Sequence, residues 1–262
     1  MAKNKLTVGF VALTGCYGCL LTAIFNEEAL LELANVVNIA SFPFIKEKNY
    51  EGKFDVLFVE GTAVSQQDKQ HLIEFRKKSN VLVALGACSS DGGVPALKRF
   101  VPKKTFDRLV YPKNPDIADL HEPMRIDEVV QVDHYLPGCP PDKEQVLTFI
   151  KNAALGREMK KHLYDNPVCV ECRSNGNRCL LEEGRMCFGP VTRGGCHAVC
   201  PSNGLECWGC RGPTSDANLN KMIDLLKEKG FTDNDIKQRL LTFTGIRFNE
   251  IRQMNVEWVP SQ

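Results

Sequence analysis

Short apolar runs alternate with amphipathic stretches along the first 155 residues of the chain. Five of the runs predict buried strands, at residues 6–13, 36–40, 54–59, 81–85 and 129–135. Helices are predicted between them, from about residue 18 to 33, from Ser65 to about 78, and from about 142 to 155. Strands that alternate with helices favour an α/β fold with a parallel, doubly wound sheet of the flavodoxin-like kind.

A different composition begins beyond Asn166. Residues 167–213 carry eight cysteines, eight glycines and four prolines, with few large apolar side chains. Because such a segment buries little hydrophobic surface, we expect bound metal to supply the missing stability. Earlier in the chain, the proline- and charge-rich residues 94–127 predict a long surface loop with one short helix, and partner docking is a hypothesis for it.

Two helices are predicted after the cysteine-rich segment. Ser215 is the expected cap of one helix, which Gly230 ends, and Thr232 with Asp235 is the expected cap of the next. We expect both helices to pack on the cysteine-rich segment as a brace. The chain then divides into a flavodoxin-like domain, residues 1–160, and a small irregular domain with a helical tail, residues 161–262.

Overall composition is that of an ordinary globular protein, with 43% apolar and 25% charged residues. A formal net charge of +1 gives no reason to expect nucleic acid or a membrane surface as partner. No apolar run approaches the ~20 residues of a membrane span, and neither a twin-arginine pair nor a cleavage site follows the start. The expected location is therefore the cytoplasm, where a reducing environment favours metal ligation over disulfides.

Twelve cysteines fall into three sets of four, which matches the ligand count of three four-iron clusters. The first set is Cys16, Cys19, Cys88 and Cys139; the second is Cys169, Cys172, Cys179 and Cys187; the third is Cys196, Cys200, Cys207 and Cys210. Members of the first set follow predicted strands one, four and five, so the topology should bring them together at the carboxyl edge of the sheet. Zinc stays an alternative for the other two sets, because zinc sites use the same C-x-x-C pairs.

Other charged and titratable residues carry weaker signals. Most arginines among the ligands are expected to be solvated: Arg173, Arg178, Arg185, Arg193 and Arg211. His162 and His197 lie beside or within the second and third sets, but four thiolates are already present in each. The chain has neither a Ser-His-Asp pattern nor a phosphate loop of the G-x-x-x-x-G-K type, so no substrate-converting site is predicted.

Six sequence segments resemble the small subunit of nickel–iron hydrogenases: LTGCYGC, LGACSSDGGV, LPGCPP, NPVCVECRSNGNRCL, CFGPVTRGGCHAVCP and CWGCRGP. The resemblance spans about residues 5–213 and covers all twelve cysteines. It is greatest to the cytoplasmic group that includes the delta subunit of archaeal sulfhydrogenase and the NAD(P)-linked and methyl-viologen-reducing enzymes.

The resemblance implies a ligand assignment for three 4Fe-4S clusters. The first set would bind the proximal cluster, nearest a nickel–iron centre in a separate large subunit. The second set would bind the distal cluster and the third set the medial one. Cys169 stands where membrane-associated and periplasmic relatives use histidine, and Cys200 adds a thiolate that their medial cluster lacks. Both departures fit a cytoplasmic enzyme with three four-iron clusters.

The function implied is an electron-transfer subunit of a hydrogenase, with a flavin- and iron–sulfur-containing partner of the diaphorase type that handles NAD or NADP. One alternative is a relay subunit of another redox complex, either heterodisulfide reductase-associated or like the complex I subunit that holds a single cluster. A second alternative is a zinc-stabilised interaction protein without electron transfer.

Overall fold

A parallel sheet forms the centre of the first part of the protein, whose computed structural model describes residues 5–24, 27–48, 50–110, 112–113 and 121–252. In these residues the sheet has five strands: β1 (Leu6–Ala12), β2 (Val37–Ser41), β3 (Phe54–Glu60), β4 (Ser79–Leu85) and β5 (His134–Leu136). Their spatial order is β2-β1-β3-β4-β5, and every neighbouring pair is parallel. This is the flavodoxin-like order, so the predicted fold class is confirmed.

The sheet is covered on both faces, which explains why its strands read as continuous apolar runs. Successive residues of β3 point to opposite faces and enter two different cores. Phe58 packs in one core against Phe10, with ring centroids 4.6 Å apart, while Leu57 packs in the other with Leu72. The carboxyl edge of the sheet is thus held between two rigid layers.

The described helices of this first part are α1 (Gly18–Ile24), α2 (Glu27–Val36), α3 (Gln66–Lys78), α4 (Ala87–Asp91), α5 (Lys103–Val110) and α6 (Lys143–Ala154). The helix predicted over residues 18–33 falls on α1 and α2, and residues 25–26 between them lie outside the described part of the chain. The predicted cap at Ser65 is confirmed. Its hydroxyl accepts from the Asp68 N–H at 3.0 Å, and Asp68 accepts from the Ser65 N–H at 2.9 Å.

The fifth strand is shorter and later than predicted. Residues 129–133 are not strand, although Val129 and Val130 pack partly buried against the core. Their apolar character therefore reports burial rather than strand pairing. The Asp133 carboxylate accepts from the Leu82 N–H at 2.7 Å, where a paired strand would offer a backbone carbonyl.

Part of the predicted surface loop at residues 94–127 is packed against the protein instead. A 3-10 helix over Val94–Phe100 buries Ala96 and Phe100, and α5 follows it. Residues 111 and 114–120 lie outside the described part of the chain. The prediction missed this packing because the apolar side chains here are few and lie between lysines and prolines.

The second part of the chain contains α7 (Val168–Ser174), α8 (Val199–Ser202), α9 (Leu219–Glu228) and α10 (Asp233–Arg252). Ile223 of α9 and Leu240 of α10 share an apolar cluster with Phe188 and Val191 of the cysteine-rich segment. The predicted packing of the C-terminal helices on that segment is therefore confirmed.

The caps of these two helices follow the prediction in one case only. Thr232 and Asp235 cap α10 reciprocally, with N–H to oxygen distances of 3.0 and 3.2 Å. Helix α9 instead begins at Asn218, whose side chain accepts from the Lys221 N–H at 3.0 Å. Ser215 is wrong as a cap because it lies three residues before Asn218 and its hydroxyl donates to the Asp165 carboxylate, which also accepts from the Ser215 N–H at 3.0 Å.

Helix α10 also contacts the first part of the protein. Leu241 and Ile246 pack with Ala96 and Phe100 in a small apolar cluster. The helix kinks at Thr244, whose hydroxyl donates to the Gly209 carbonyl at 3.1 Å.

A domain boundary between residues 160 and 161 stays a prediction. Within the described residues, every helix is too short or too polar to cross a bilayer.

Candidate metal centres

The first set of cysteines meets at the carboxyl edge of the sheet. Cys16 and Cys19 follow β1, Cys88 lies in α4 directly after β4, and Cys139 follows β5. Cys16 and Cys139 are exposed, whereas Cys19 is buried and Cys88 half-buried. Each of the other three lies close enough to act on the charge of Cys19. The predicted convergence is thus present in the structure.

Two thiols of the first set, Cys19 and Cys88, have pKa values raised by burial. Burial, followed by the charges of Cys139 and Cys16, raises the pKa of Cys88 to about 12. The pKa of Cys19 is raised further, by burial first and then by Glu60 and the other thiols. Four thiolates so placed repel one another in a dry environment, so a bound cationic metal group would displace their protons and stabilise the site.

Glycines give the sulfur atoms of the first set their space. A Cβ on Gly86 would overlap the Cys19 sulfur, and one on Gly93 would lie 2.6 Å from the Cys88 sulfur. Both glycines also have positive φ angles, of 88° and 58°. The backbone therefore approaches the sulfurs more closely than a side chain would allow, as expected around an iron–sulfur group whose sulfurs accept amide hydrogen bonds.

Glu60 is a residue of this site that the sequence reasoning missed. It ends β3, is 2% exposed, and accepts from the N–H groups of Leu20 at 2.9 Å and Cys19 at 3.4 Å. Burial raises the pKa of Glu60, while these N–H donors lower it. Its sequence signal was an acidic residue closing the otherwise apolar strand FDVLFVE. A carboxylate here adds negative charge beside the first set.

The second set is gathered around α7. Cys169 and Cys172 lie on that helix, and burial followed by Cys187, Cys172 and Cys179 raises the pKa of Cys169 to about 12. The Cys187 sulfur accepts from the backbone N–H of Cys207 at 3.3 Å. The four thiols are therefore neighbours, as the ligands of one metal group must be.

The third set lines a cavity of about 630 Å³ together with Cys139 and Trp208. Burial raises the pKa of Cys210 to about 11, and Cys196 and Cys139 add to the shift. Burial also raises the pKa of Cys207 well above its ordinary value. The cavity has room for a cubane group, and its thiol donors have the chemistry that iron–sulfur clusters require.

The three sets lie in a row with the third set in the middle. Cys210 of the third set interacts with Cys139 of the first, both through charge and through the Cys139 backbone. At the other end, Cys207 of the third set donates to Cys187 of the second. The spatial order is first, third, second, although the order along the chain is first, second, third.

All twelve cysteines are described and unpaired, so disulfides do not account for them. His162 stacks on Tyr135, with ring centroids 4.9 Å apart, and burial with the nearby Arg193 charge lowers its pKa to about 3. His197 lines the third-set cavity, and its Nε2 lies 3.5 Å from the Glu144 carboxylate.

The arginines divide differently from the prediction. Arg173 and Arg178 are exposed, as expected, whereas Arg185 and Arg193 form ion pairs with Glu206 and Asp165, at 2.6 and 3.0 Å. Arg211 contradicts the expectation of a solvated charge, because it is 2% exposed. The sequence did not indicate this burial, because loops that are distant along the chain enclose the side chain of Arg211.

A flavodoxin-like sheet with cysteines at its carboxyl edge and a cysteine-rich second part defines an iron–sulfur oxidoreductase subunit. Residues 16–153 match the family model described as NADH ubiquinone oxidoreductase, 20 Kd subunit, and the chain belongs to this family. Sulfhydrogenase 2 subunit delta of Pyrococcus furiosus is 39% identical over 239 residues, covering 91% of this chain and 99% of that one. Within the family, the chain is a hydrogenase subunit.

Solved structures agree with this assignment. A chain of an NAD+-reducing NiFe hydrogenase is similar with a TM-score of 0.52 and 29% identity, over 59% of this chain and 94% of that one. A chain of the actinobacterial-type NiFe hydrogenase of Ralstonia eutropha has a TM-score of 0.57, covers 100% of this chain and 94% of that one, and is 13% identical. At that identity the second likeness shows the fold alone.

Proposed function

We propose that this chain is the electron-transfer small subunit of a cytoplasmic nickel–iron hydrogenase, with one 4Fe-4S cluster in each of the three cysteine sets. The observation that carries the proposal is the row of sites, because neighbouring sets touch through Cys139 and Cys210 and through Cys187 and Cys207. Such clusters, when bound, accept and release single electrons. The protein holds them in sequence and sets their potentials through hydrogen bonds, charge and burial.

The row supports a specific ligand partition. The first set binds the proximal cluster, the third set the medial cluster and the second set the distal cluster. The partition implied by the sequence resemblance agrees with the order of the sites in space. Electrons then pass between the nickel–iron centre of a large subunit at the first-set end and a flavin-containing, NAD- or NADP-handling subunit at the second-set end.

An exposed aromatic pair supports a protein partner at the first-set end. Tyr17 lies between Cys16 and Cys19 and is 38% exposed, and its ring contacts that of Phe44, which is 50% exposed. Ile45 beside it is 47% exposed. A subunit that covers this patch would bury the apolar side chains and exclude water from the exposed Cys16.

One observation favours the complex I-like alternative: the matching family model is described as an NADH ubiquinone oxidoreductase subunit. The family match ends at residue 153, so it includes the first set only. The other eight cysteines lie beyond it, which supports a relay over a single-cluster subunit. Co-purification from the native host separates the two: a nickel-containing large subunit and a flavoprotein support the hydrogenase, and partners without nickel support the other complex.

Metal analysis of oxygen-free protein tests the clusters themselves. About twelve irons with equal acid-labile sulfide are expected, in brown protein. Colourless protein with three zinc ions would overturn the relay. Cys88→Ala should then remove one electron paramagnetic resonance signal and leave two, whereas loss of a different number from correctly folded protein contradicts the partition. Cell fractionation tests the cytoplasmic location.

A further inference from the structure

Arg211 is a buried cation that follows the last cysteine of the third set. Its three donor nitrogens all bond to uncharged oxygens. Nε donates to the Gly194 carbonyl at 2.6 Å, Nη1 to the Pro137 carbonyl at 2.7 Å, and Nη2 to the Gln145 side chain at 2.8 Å. Gln145 is itself 3% exposed and donates to the Gly195 carbonyl, which completes a closed network.

This network joins loops that carry ligands of two different sites. Pro137 is two residues before Cys139 of the first set, and Gly194 is two residues before Cys196 of the third. Arg211 itself is adjacent to Cys210. One guanidinium group therefore fixes the third-set loops relative to the last ligand of the first set, and its planar donor geometry suits that task.

The charge of Arg211 has no carboxylate partner among the described residues, whereas the other arginine that is buried there has one. Arg125, 5% exposed, bonds to the Asp127 carboxylate at 2.9 Å. Burying a charge is costly unless an opposite charge compensates it. Arg211 lines the third-set cavity together with Cys196 and Cys210, so the thiolates of this set are the anions placed to compensate its charge.

We propose that Arg211 is the positioning residue and counter-cation of the third-set cluster, keeping it in register with the Cys139 loop and raising its reduction potential. The inference rests on the proposed function. A fixed positive charge in a dry environment stabilises the more negative, reduced state of a nearby group. The residue thereby favours electron residence on the middle site of the row.

The test is a potentiometric titration of the oxygen-free complex, followed by electron paramagnetic resonance of each cluster. Arg211→Met removes the charge and keeps the length. We expect the reduced-to-oxidised ratio of the third-set cluster at a fixed solution potential to fall at least tenfold, which is about 59 mV for one electron. The first- and second-set clusters should change less than threefold.

Two further variants separate charge from position. Gln145→Glu leaves Arg211 in place but puts a carboxylate where the amide oxygen now lies, 2.8 Å from Nη2. This variant should lower the reduced-to-oxidised ratio of the third-set cluster at least threefold. It tests the effect of the Arg211 charge even if the Arg211→Met protein does not assemble. Arg211→Lys keeps the charge and loses the planar contacts, so its ratio should stay within threefold of the native value.

An unchanged third-set ratio in Arg211→Met with all three clusters loaded overturns the proposal and leaves the proposed function intact. An unchanged ratio in Gln145→Glu overturns the counter-cation role as well. A tenfold fall in Arg211→Lys also overturns that role, because the potential would then depend on the planar contacts and not on the charge. Failure of the proposed function would show instead in the native protein, as missing iron and sulfide.

Discussion

Arg247 is expected to be the main electrostatic attachment of α10 to the part of the protein that contains the sheet. Its side chain is 25% exposed and pairs with two carboxylates, Asp127 and Asp91, the latter at 3.4 Å and only 5% exposed. It also donates to the Ser90 carbonyl at 3.0 Å. Arg247→Met keeps most of the side-chain volume and removes these contacts, leaving the Asp91 carboxylate buried without this partner.

The expected cost follows from the burial of the partners. Removing one member of a buried ion pair costs about 3–5 kcal/mol, and the partial exposure of Arg247 reduces this to about 2–3 kcal/mol. If α10 then opens from the sheet independently, amide hydrogen exchange in α10 should accelerate about 30- to 140-fold, at 1.4 kcal/mol per tenfold. Exchange is measured on oxygen-free holoprotein, so the clusters stay bound.

A surface ion pair between α9 and the first residue of α10 is the matched control. Lys227 Nζ lies 2.6 Å from Asp233, and the two side chains are 43% and 76% exposed. Lys227→Met should accelerate exchange at most about fivefold, because exposed pairs contribute about 1 kcal/mol or less. Equal acceleration in both variants, or none in Arg247→Met, would refute the attachment.

The pH dependence of Arg247→Met provides a second check. Burial raises the pKa of Asp91 to about 6, while Arg247, Arg193 and Arg125 oppose the rise and Asp127 adds to it. A carboxyl whose folded pKa is raised contributes stability that is present below its unfolded value and is lost as pH rises through the folded value. Without Arg247 the folded pKa rises further, so stability should fall between pH 6 and 8 in the variant and stay level in the native protein.

Three other substitutions test the site, two of them with matched controls. Gly86→Ala should abolish the electron paramagnetic resonance signal of the first-set cluster, because the new Cβ overlaps the Cys19 sulfur. Its control, Gly230→Ala, has a similar φ of 90° but open space around the Cβ, so it should lower the free energy of unfolding by about 1 kcal/mol and keep all signals. Phe44→Glu should weaken large-subunit binding at least tenfold, about 1.4 kcal/mol, in a pull-down titration, and Leu155→Glu, on a 63% exposed side chain elsewhere, should not. Glu60→Gln removes a negative charge and should raise the reduction potential of the first-set cluster, so that its reduced-to-oxidised ratio at a fixed solution potential rises about threefold or more. A lowered reduction potential would contradict the assigned charge effect.

The sheet and the first cysteine set were predictable because both depend on local patterns joined by a strong topological rule. Parallel strands end at one edge, so cysteines that follow strands β1, β4 and β5 must meet there. The local hydrophobic pattern gave a wrong prediction at residues 129–133, which it assigned to the fifth strand. Val129 and Val130 read as strand, yet they are loop residues whose partly buried side chains pack against the core.

Glu60 and Arg211 could not be assigned from sequence for a related reason. Each is a charged residue in an ordinary local context, and its role comes from elements distant in the chain that enclose it. Glu60 accepts hydrogen bonds from residues 40 and 41 positions away, and Arg211 donates to one 74 positions away. Spacing rules identify ligands, whereas the charges that tune those ligands depend on tertiary packing.

The order of the three sites is likewise a tertiary property with a functional consequence. The third set ends with Cys207 and Cys210, and this pair returns between the other two sets, so Cys210 meets the first set and Cys207 meets the second. The first and second sets are thus connected through Cys207 and Cys210, the last two cysteines of the chain. Because Arg211 directly follows this pair and donates to the Pro137 carbonyl, one short segment both carries the proposed ligands of the middle site and fixes their distance from the sheet edge. A substitution in this segment should therefore change the reduction potential of the third-set site more than that of the first- or second-set site.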